Sequence, residues 1–197
     1  MEYYSKAKVK SLSHRKILKT TVVVMDFFEL LFLVLPAYAS NSIPVVLGGG
    51  TKIDLGKNFF DGKRVFGDSK TIRGFISGVA AGTLVGVILA LGVGFLPWIP
   101  QNDKFVVGFL VSLGAMAGDL LGSFVKRRLG LSPGSQYFLL DQLLFIILAL
   151  VFAIAFAPKI LAELNGWDVL ALMVLTYFLH LSFNWIAHKL RLKKVPW

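Results

Sequence analysis

Residues 118–128 read GDLLGSFVKRR and close an apolar run of membrane length. Within them Asp119, Ser123 and Lys126 or Arg127 recur at i, i+4 and i+7 or i+8. On a helix, that spacing lines an acid, a hydroxyl and a cation along one stripe. A charge held near hydrocarbon is costly, so an acid in such a segment marks a functional site by default. The stripe offers a metal ligand beside phosphate-sized donors at a bilayer surface.

A second acid belongs with it. Asp141 heads the next apolar run, after the Pro133-Gly134 turn. Antiparallel neighbours joined by that turn bring Asp119 and Asp141 to the same membrane level. Two carboxylates completed by substrate phosphate oxygens suit Mg²⁺, which binds through one or two acids and keeps other positions for phosphates and water. Taken singly, Asp141 is ordinary helix N-terminal charge, and Asp119 is a salt-bridge partner for Lys126 or a neighbouring cation. Neither reading accounts for both acids with Ser123 and the Lys-Arg-Arg cluster between them.

Residues 44–74, PVVLGGGTKIDLGKNFFDGKRVFGDSKTIRG, are dense in Gly, Asp, Lys and Arg. Glycine lets backbone N–H groups face a phosphate, and Lys or Arg neutralises it. The segment is not a Walker A loop: Ser69 precedes Lys70-Thr71, and Arg64 stands where the first glycine should be. A solvated basic loop would account for the cations alone. Asp54, Asp61 and Asp68 alternate with them, and such a loop needs no acids, so the segment is read as a polyphosphate site. Asp26 and Glu29 are assigned to structure, since acids in a span usually pair internally. His180 and His188 are assigned to packing or the interface.

The elements that position these residues are membrane spans. The chain has 197 residues, of which 56% are hydrophobic and 16% charged, with mean hydropathy +0.72. A soluble domain of this length could not hide so much apolar surface. The expected fold is an all-α integral membrane protein, a single transmembrane catalytic domain over 1–197. Its bundle has about five spans, near 17–39, 72–96, 104–124, 139–158 and 168–187, with two cytoplasmic loops forming a polar site. Loop 40–73, loop 123–137 and the C-terminal tail hold most of the 21 Lys and Arg, which places them in the cytoplasm. The protein is therefore expected as multi-pass in the cell membrane, its site on the cytoplasmic face. Five spans put the basic N-terminus outside, and an interfacial amphipathic helix over 1–16 would ease that conflict. Ala37-Tyr38-Ala39 imitates a signal-peptide cleavage site, but Asp26 and Glu29 inside the apolar run argue against one. Gly74, Gly78, Gly82, Gly86, Ala90 and Gly94 form a ladder on span two, and Gly114, Gly118 and Gly122 one on span three. Small residues four apart let helices approach closely. There is no cysteine and there are three histidines, too scattered for a zinc cluster. The net charge of +10 suits anionic lipid or a phosphorylated substrate. Nucleic-acid binding would want a soluble basic face with aromatic platforms, and none is visible.

The run PAYASNSIPVVLGGGTKIDLGKNFFDGKRVFGDSKTIRG, followed by GDLLGSFVKRRLGLSPGSQYFLLDQLLF, resembles the CDP-archaeol synthase family over roughly residues 36–150. That family is similar at a distance to the phosphatidate cytidylyltransferases. The resemblance implies a membrane-bound, CTP-dependent nucleotidyltransferase of phospholipid biosynthesis. It implies CTP, Mg²⁺ and an unsaturated isoprenoid ether-lipid phosphate (2,3-bis-geranylgeranylglycerol 1-phosphate), with CDP-archaeol and pyrophosphate as products. By position it implies Asp119 and Asp141 as metal ligands, with Asp119, Lys126, Arg127 and Lys70 as catalytic. It implies nucleotide contacts from Asn41, Asp54, Asp61, Lys63, Arg64, Asp68, Lys70, Thr71, Arg73 and Ser123. The sequence departs from the family pattern at Leu144, where a second acid is common, and at Lys52, where proline is common. The Leu144 change removes one candidate metal ligand.

The rival from another class is a small membrane transporter or channel for a phosphorylated or anionic solute. Against it stand the lack of an inverted repeat and the clustering of polar residues at one face, away from the midplane. A CDP-alcohol phosphotransferase is excluded because Asp61-Gly62 is not followed by Ala-Arg. Oligomeric state is unknown from sequence.

Overall fold

A computed structural model describes residues 27–92, 99–132, 135, 137, 140–157 and 164–192. Among them the regular structure is helical: α1 (Phe27–Ser42), α2 (Pro44–Leu47), α3 (Ile72–Gly92), α4 (Gln101–Arg128), α5 (Leu140–Phe156) and α6 (Gly166–Lys189). Four stretches are long and apolar enough to cross a membrane: Phe27–Leu47, Ile72–Gly92, Gln101–Arg128 and Gly166–Lys189. The apolar part of α5, Leu143–Phe156, is shorter than a full span. The expected segment 1–16, residues 17–26 with Asp26, and the Pro133-Gly134 turn lie outside the described residues.

α4 overruns its expected span of 104–124. Its 28 residues extend to about 42 Å, against about 30 Å of hydrocarbon. The surplus carries Lys126, Arg127 and Arg128, its last-turn cations, beyond the apolar zone, where they also complement the helix dipole.

The glycine ladders set the helix spacing. On α3, Gly74, Gly78, Gly82 and Gly86 are all buried. Gly86 meets Gly108 of α4 so closely that a β-carbon at Gly86 would lie 2.7 Å from the Gly108 Cα. On the other side of α4, a β-carbon at Gly118 would lie 2.6 Å from the Phe145 Cα, and one at Gly114 2.8 Å from the Ala149 Cα. α4 is thus pressed against α3 and α5 backbone to backbone. Leu33, Val34, Val107, Val111, Phe145 and Ile146 fill the space between them.

α6 is held more loosely. Its buried residues are Asp168, Leu172 and Thr176. It starts at a capping box, in which Asn165 Oδ1 accepts from the Trp167 and Asp168 amides and Asp168 accepts from the Asn165 amide. Tyr38 on α1 donates to Thr176 Oγ1 at 2.8 Å. Leu170, Val174, Phe178 and Trp185 are exposed, as a lipid-facing surface requires.

Between α2 and α3 the chain is irregular, tied by two antiparallel bridges, Lys52 with Thr71 and Asn58 with Arg64. Asp54 organises this loop. Its Oδ1 accepts from the Gly56 amide and from Arg64 Nη2, and its Oδ2 from the amides of Phe66 and Gly67.

Candidate active site

α4 presents Asp119, Ser123, Lys126 and Arg127 on adjoining turns, and α5 presents Asp141 in its first turn. Close packing at Gly118 brings the two helices together, so both acids line one cavity of about 340 Å³. The loop adds Phe66, Ser69 and Lys70, and the last turn of α1 adds Asn41. That volume falls within the range of small-molecule sites.

Each acid holds a lysine. Lys70 Nζ donates to both oxygens of Asp119, at 2.7 and 2.6 Å. Lys126 Nζ donates to Asp141 Oδ1 at 2.5 Å and to the Ser135 carbonyl at 3.3 Å. The other Asp141 oxygen accepts from the Tyr137 amide at 2.9 Å. Asp119 therefore pairs with a cation of the loop rather than with its helical neighbour Lys126. Both carboxylates stay open to the cavity, with side-chain exposures of 25% and 24%.

Arg127 lies in the cavity wall. It is only 6% exposed, donates from Nη2 to the Ser132 carbonyl at 3.0 Å, and keeps a buried Nε without a hydrogen-bond partner among the described residues. A buried guanidinium with an unused donor in a cavity wall suits a phosphate oxygen.

The expected residues divide into two groups. Asn41, Lys70, Asp119, Ser123, Lys126, Arg127 and Asp141 meet at the cavity. Asp54, Asp61, Lys63, Arg64, Asp68, Thr71 and Arg73 are not among its lining residues. Asp54 spends its oxygens on the loop. Burial acts to raise its pKa, but the Arg64 guanidinium and the amides of Gly67, Phe66 and Gly56 outweigh it and hold the carboxyl well below the usual range. Asp68 is lowered by Lys52 and by Arg64, each at 2.6 Å. Arg64 is raised in turn by Asp54 and Asp68. Thr71 Oγ1 accepts from the Gly49 and Gly74 amides, fastening the loop to the start of α3. Arg73 is exposed on the first turn of α3. Asp61 and Lys63 bind the end of α4: Asp61 lies 3.0 Å from Arg128 Nε, and Lys63 Nζ donates to the Arg128 carbonyl.

His180 and Asn184 also line the cavity, with the Asn184 amide nitrogen 3.2 Å from the His180 ring nitrogens. The sequence reading gave His180 to packing or the interface. A polar pair at i, i+4 in an otherwise apolar helix was the signal that would have found them. Leu144, at the position of the missing acid, is absent from the lining and rests its Cδ2 against Gly122.

A family model described as CarS-like, CDP-archaeol synthase, matches residues 22–197. The chain belongs to the CDP-archaeol synthase family. Among its curated relatives, the CDP-archaeol synthase of Pyrococcus furiosus is 48% identical over 170 residues, covering 86% of this chain and 97% of that protein. That of Archaeoglobus fulgidus is 43% identical over 173 residues, covering 85% and 96%. A solved structure, described as an intramembrane enzyme for archaeal membrane lipids biosynthesis, superposes with TM-score 0.72 at 38% identity, covering 82% of this chain and 96% of that one. A membrane enzyme of all-helical architecture is what family and fold agree on, and the transporter reading falls away.

Proposed function

We propose that this chain joins CTP to an isoprenoid ether-lipid phosphate, 2,3-bis-geranylgeranylglycerol 1-phosphate, giving CDP-archaeol and pyrophosphate. The observation that carries the reading is the convergence of Asp119 and Asp141 with Lys70, Lys126 and Arg127 in one cavity at the polar end of an apolar bundle. A triphosphate needs cations, a metal complex needs acids, and a lipid acceptor needs a site at membrane level.

Mg²⁺ fits the donor set. Two partly exposed carboxylates from neighbouring helices line the cavity, and each is held by a lysine. No group of three or more acids, histidines or cysteines suited to a metal occurs among the described residues, so an ion on these two acids would draw the rest of its sphere from water and phosphate. Asp119 and Asp141 would hold it. When bound, it neutralises and orients phosphate oxygens.

The chain's own groups supply the rest. A lipid phosphate oxygen attacks the α-phosphorus of CTP, a new P–O bond forms, and the bond from that phosphorus to the α,β-bridging oxygen breaks. The electron pair leaves with pyrophosphate. The nucleophile is already anionic, so no general base is needed, and rate comes from positioning and charge stabilisation. Arg127 and Lys126 take phosphate oxygens, and Lys70 screens the leaving group from the loop side. Ser123 donates a hydroxyl within the same wall. The Lys and Arg bias of the loops supports a cytoplasmic site in the cell membrane, and the whole chain acts as one catalytic domain.

The test is a nucleotide panel. Purified protein is given CTP, ATP, GTP or UTP with the lipid phosphate and Mg²⁺, and pyrophosphate is read out. CTP should be strongly preferred, EDTA should stop the reaction, and Asp119→Ala should be inactive while still folded. Equal use of all four nucleotides, or an active Asp119→Ala, would overturn the reading.

A further inference from the structure

The loop carries an apolar tip that the catalytic reading does not use. Phe60 is 99% exposed. A single exposed apolar side chain needs no explanation, but this one ends a continuous row. Its ring lies 5.0 Å from that of Phe59, and the Phe59 ring lies 5.2 Å from that of Phe124 on α4. Phe124 in turn continues a stripe of α4 with Val106, Leu113, Ala117 and Leu121, which the 3.6-residue period places on one side of the helix. Val106 and Leu121 are exposed on that stripe, Leu113, Ala117 and Phe124 are half-buried, and Leu110 beside them is buried. In a membrane bundle, an exposed apolar helix stripe is the one that meets lipid.

The length of the stripe fixes its depth. Val106 and Phe124 are separated by about 27 Å along the axis, close to the roughly 30 Å of hydrocarbon in a bilayer. Phe124 therefore lies near one hydrocarbon boundary, and the loop tip stacked against it lies in the headgroup layer. Aromatic rings favour this depth. Of the exposed charges near the tip, Lys63 Nζ is held on the Arg128 carbonyl and Asp61 pairs with Arg128, which leaves the Lys57 ammonium to meet anionic headgroups.

We propose that Phe60, backed by Phe59, is a membrane-interface anchor that seats the loop between α2 and α3 in the headgroup layer beside α4. The occupant of this apolar surface is the bilayer itself, continuous with the lipid that covers α4. The same row reaches the cavity, because the Phe124 ring is also 6.4 Å from that of Phe66, a cavity-lining residue. Anchoring the tip thereby restrains the segment that supplies Phe66, Ser69 and Lys70. The anchor itself does not depend on which reaction the cavity performs.

The chain has no cysteine, so single-cysteine labelling needs no background removal. Phe60→Cys, Leu121→Cys and Thr51→Cys, each carrying an environment-sensitive fluorophore, are reconstituted into vesicles of mixed anionic and zwitterionic phospholipid. Leu121 serves as the lipid-facing reference and Thr51 as an exposed position elsewhere on the same loop. Lipids bearing a spin label near the headgroup should quench the label at 60 strongly, and iodide should quench it severalfold less than at 51. Free access of iodide to position 60 would overturn the proposal by leaving the tip in water. Protection from both quenchers would overturn it too, by showing a protein partner or second copy over the tip. Because Phe60 is almost wholly exposed, its replacement leaves the core untouched. A photoreactive phenylalanine analogue at 60 keeps the ring and gives an independent check. Crosslinks to lipid support the anchor, and crosslinks to protein alone refute it.

Discussion

Lys63 and Arg128 exchange side chain for carbonyl across 65 residues of sequence. Lys63 Nζ donates to the Arg128 carbonyl at 2.9 Å, and Arg128 Nη2 donates to the Lys63 carbonyl at 3.2 Å and to that of Arg64 at 2.5 Å. The Arg128 guanidinium also sits over the rings of Phe59 and Phe124, 4.9 and 4.7 Å from their centroids, and 3.0 Å from Asp61. The irregular loop is thereby clamped onto the end of α4. Arg128 does not line the cavity, so it acts as a positioning residue for the segment that supplies Lys70.

Arg128→Gln should loosen that clamp. Hydrogen bonds to a charged group contribute about 1.5–3 kcal/mol each. Losing a fraction of that from the bound state should raise the KM for CTP about tenfold or more, since 1.4 kcal/mol is a factor of ten. The kcat should fall less, and the melting temperature of the bundle should hardly move. Arg128→Lys keeps a cation over the rings but loses the planar fork, so it should recover only part of the loss. Steady-state kinetics on the three proteins decide it, and an unchanged KM in Arg128→Gln would remove the positioning role.

The acid–lysine pairs carry a prediction of opposite sign. Lys70 competes with any cation for Asp119, because its ammonium takes both oxygens. Lys70→Met should therefore lower the half-saturating Mg²⁺ in a thermal-shift titration run with CTP and no lipid acceptor. Turnover should drop in the same variant. Asp119→Asn should abolish the Mg²⁺-dependent shift. A weaker Mg²⁺ response in Lys70→Met would show that the lysine supports the ion instead of competing with it.

The stripe at Asp119–Arg128 and its convergence with Asp141 were legible because helical period and the cost of charge in hydrocarbon both act on local sequence. The glycine ladders were legible for the same reason; Gly74, Gly78, Gly82, Gly86 and Ala90, and Gly114, Gly118 and Gly122, face inward as expected, while Gly94 lies outside the described residues. The partner of Asp119 was not, since Lys70 lies 49 residues away and irregular loops carry no period from which to read a contact. In the structure Asp54, Arg64 and Asp68 pair with one another, outside the cavity lining. α5 runs over Leu140–Phe156, inside the expected span of 139–158, with its most apolar part at Leu143–Phe156.

Asp54 gives a pH dependence with a defined sign. Its folded-state pKa lies below the unfolded value. Its contribution to loop stability is therefore fully present above the unfolded pKa of about 3.9, and is lost as pH falls toward the depressed folded value. Asp54→Asn should melt lower than the wild type at pH 7, since an amide cannot accept from the same four donors. The gap should shrink below about pH 4, where the carboxyl of the unfolded wild-type chain begins to protonate while the folded one stays charged. Melting curves of both proteins between pH 7 and pH 3 test this, and a gap that widens on acidification would refute the assignment.

The α3–α4 crossing is tested by a pair of alanines. At Gly86 a β-carbon would lie 2.7 Å from the Gly108 Cα, and at Gly108 it would lie 2.9 Å from the Gly86 Cα. Both obstacles are backbone, so neither helix can yield by turning a side chain. Gly86→Ala should cost about 1–3 kcal/mol through overpacking. For a chain of this size that lowers the melting temperature by roughly 2–4 °C per kcal/mol. Gly92, at the end of the same helix, has no atom of the described residues within 4 Å of where its β-carbon would go. Gly92→Ala should therefore be neutral or slightly stabilising, by the loss of backbone freedom in the unfolded chain. Because the crossing also sets how α4 meets α5, Gly86→Ala should lose turnover along with stability, whereas Gly92→Ala should keep both. Equal behaviour of the two variants would show that the ladder does not set the spacing of these helices.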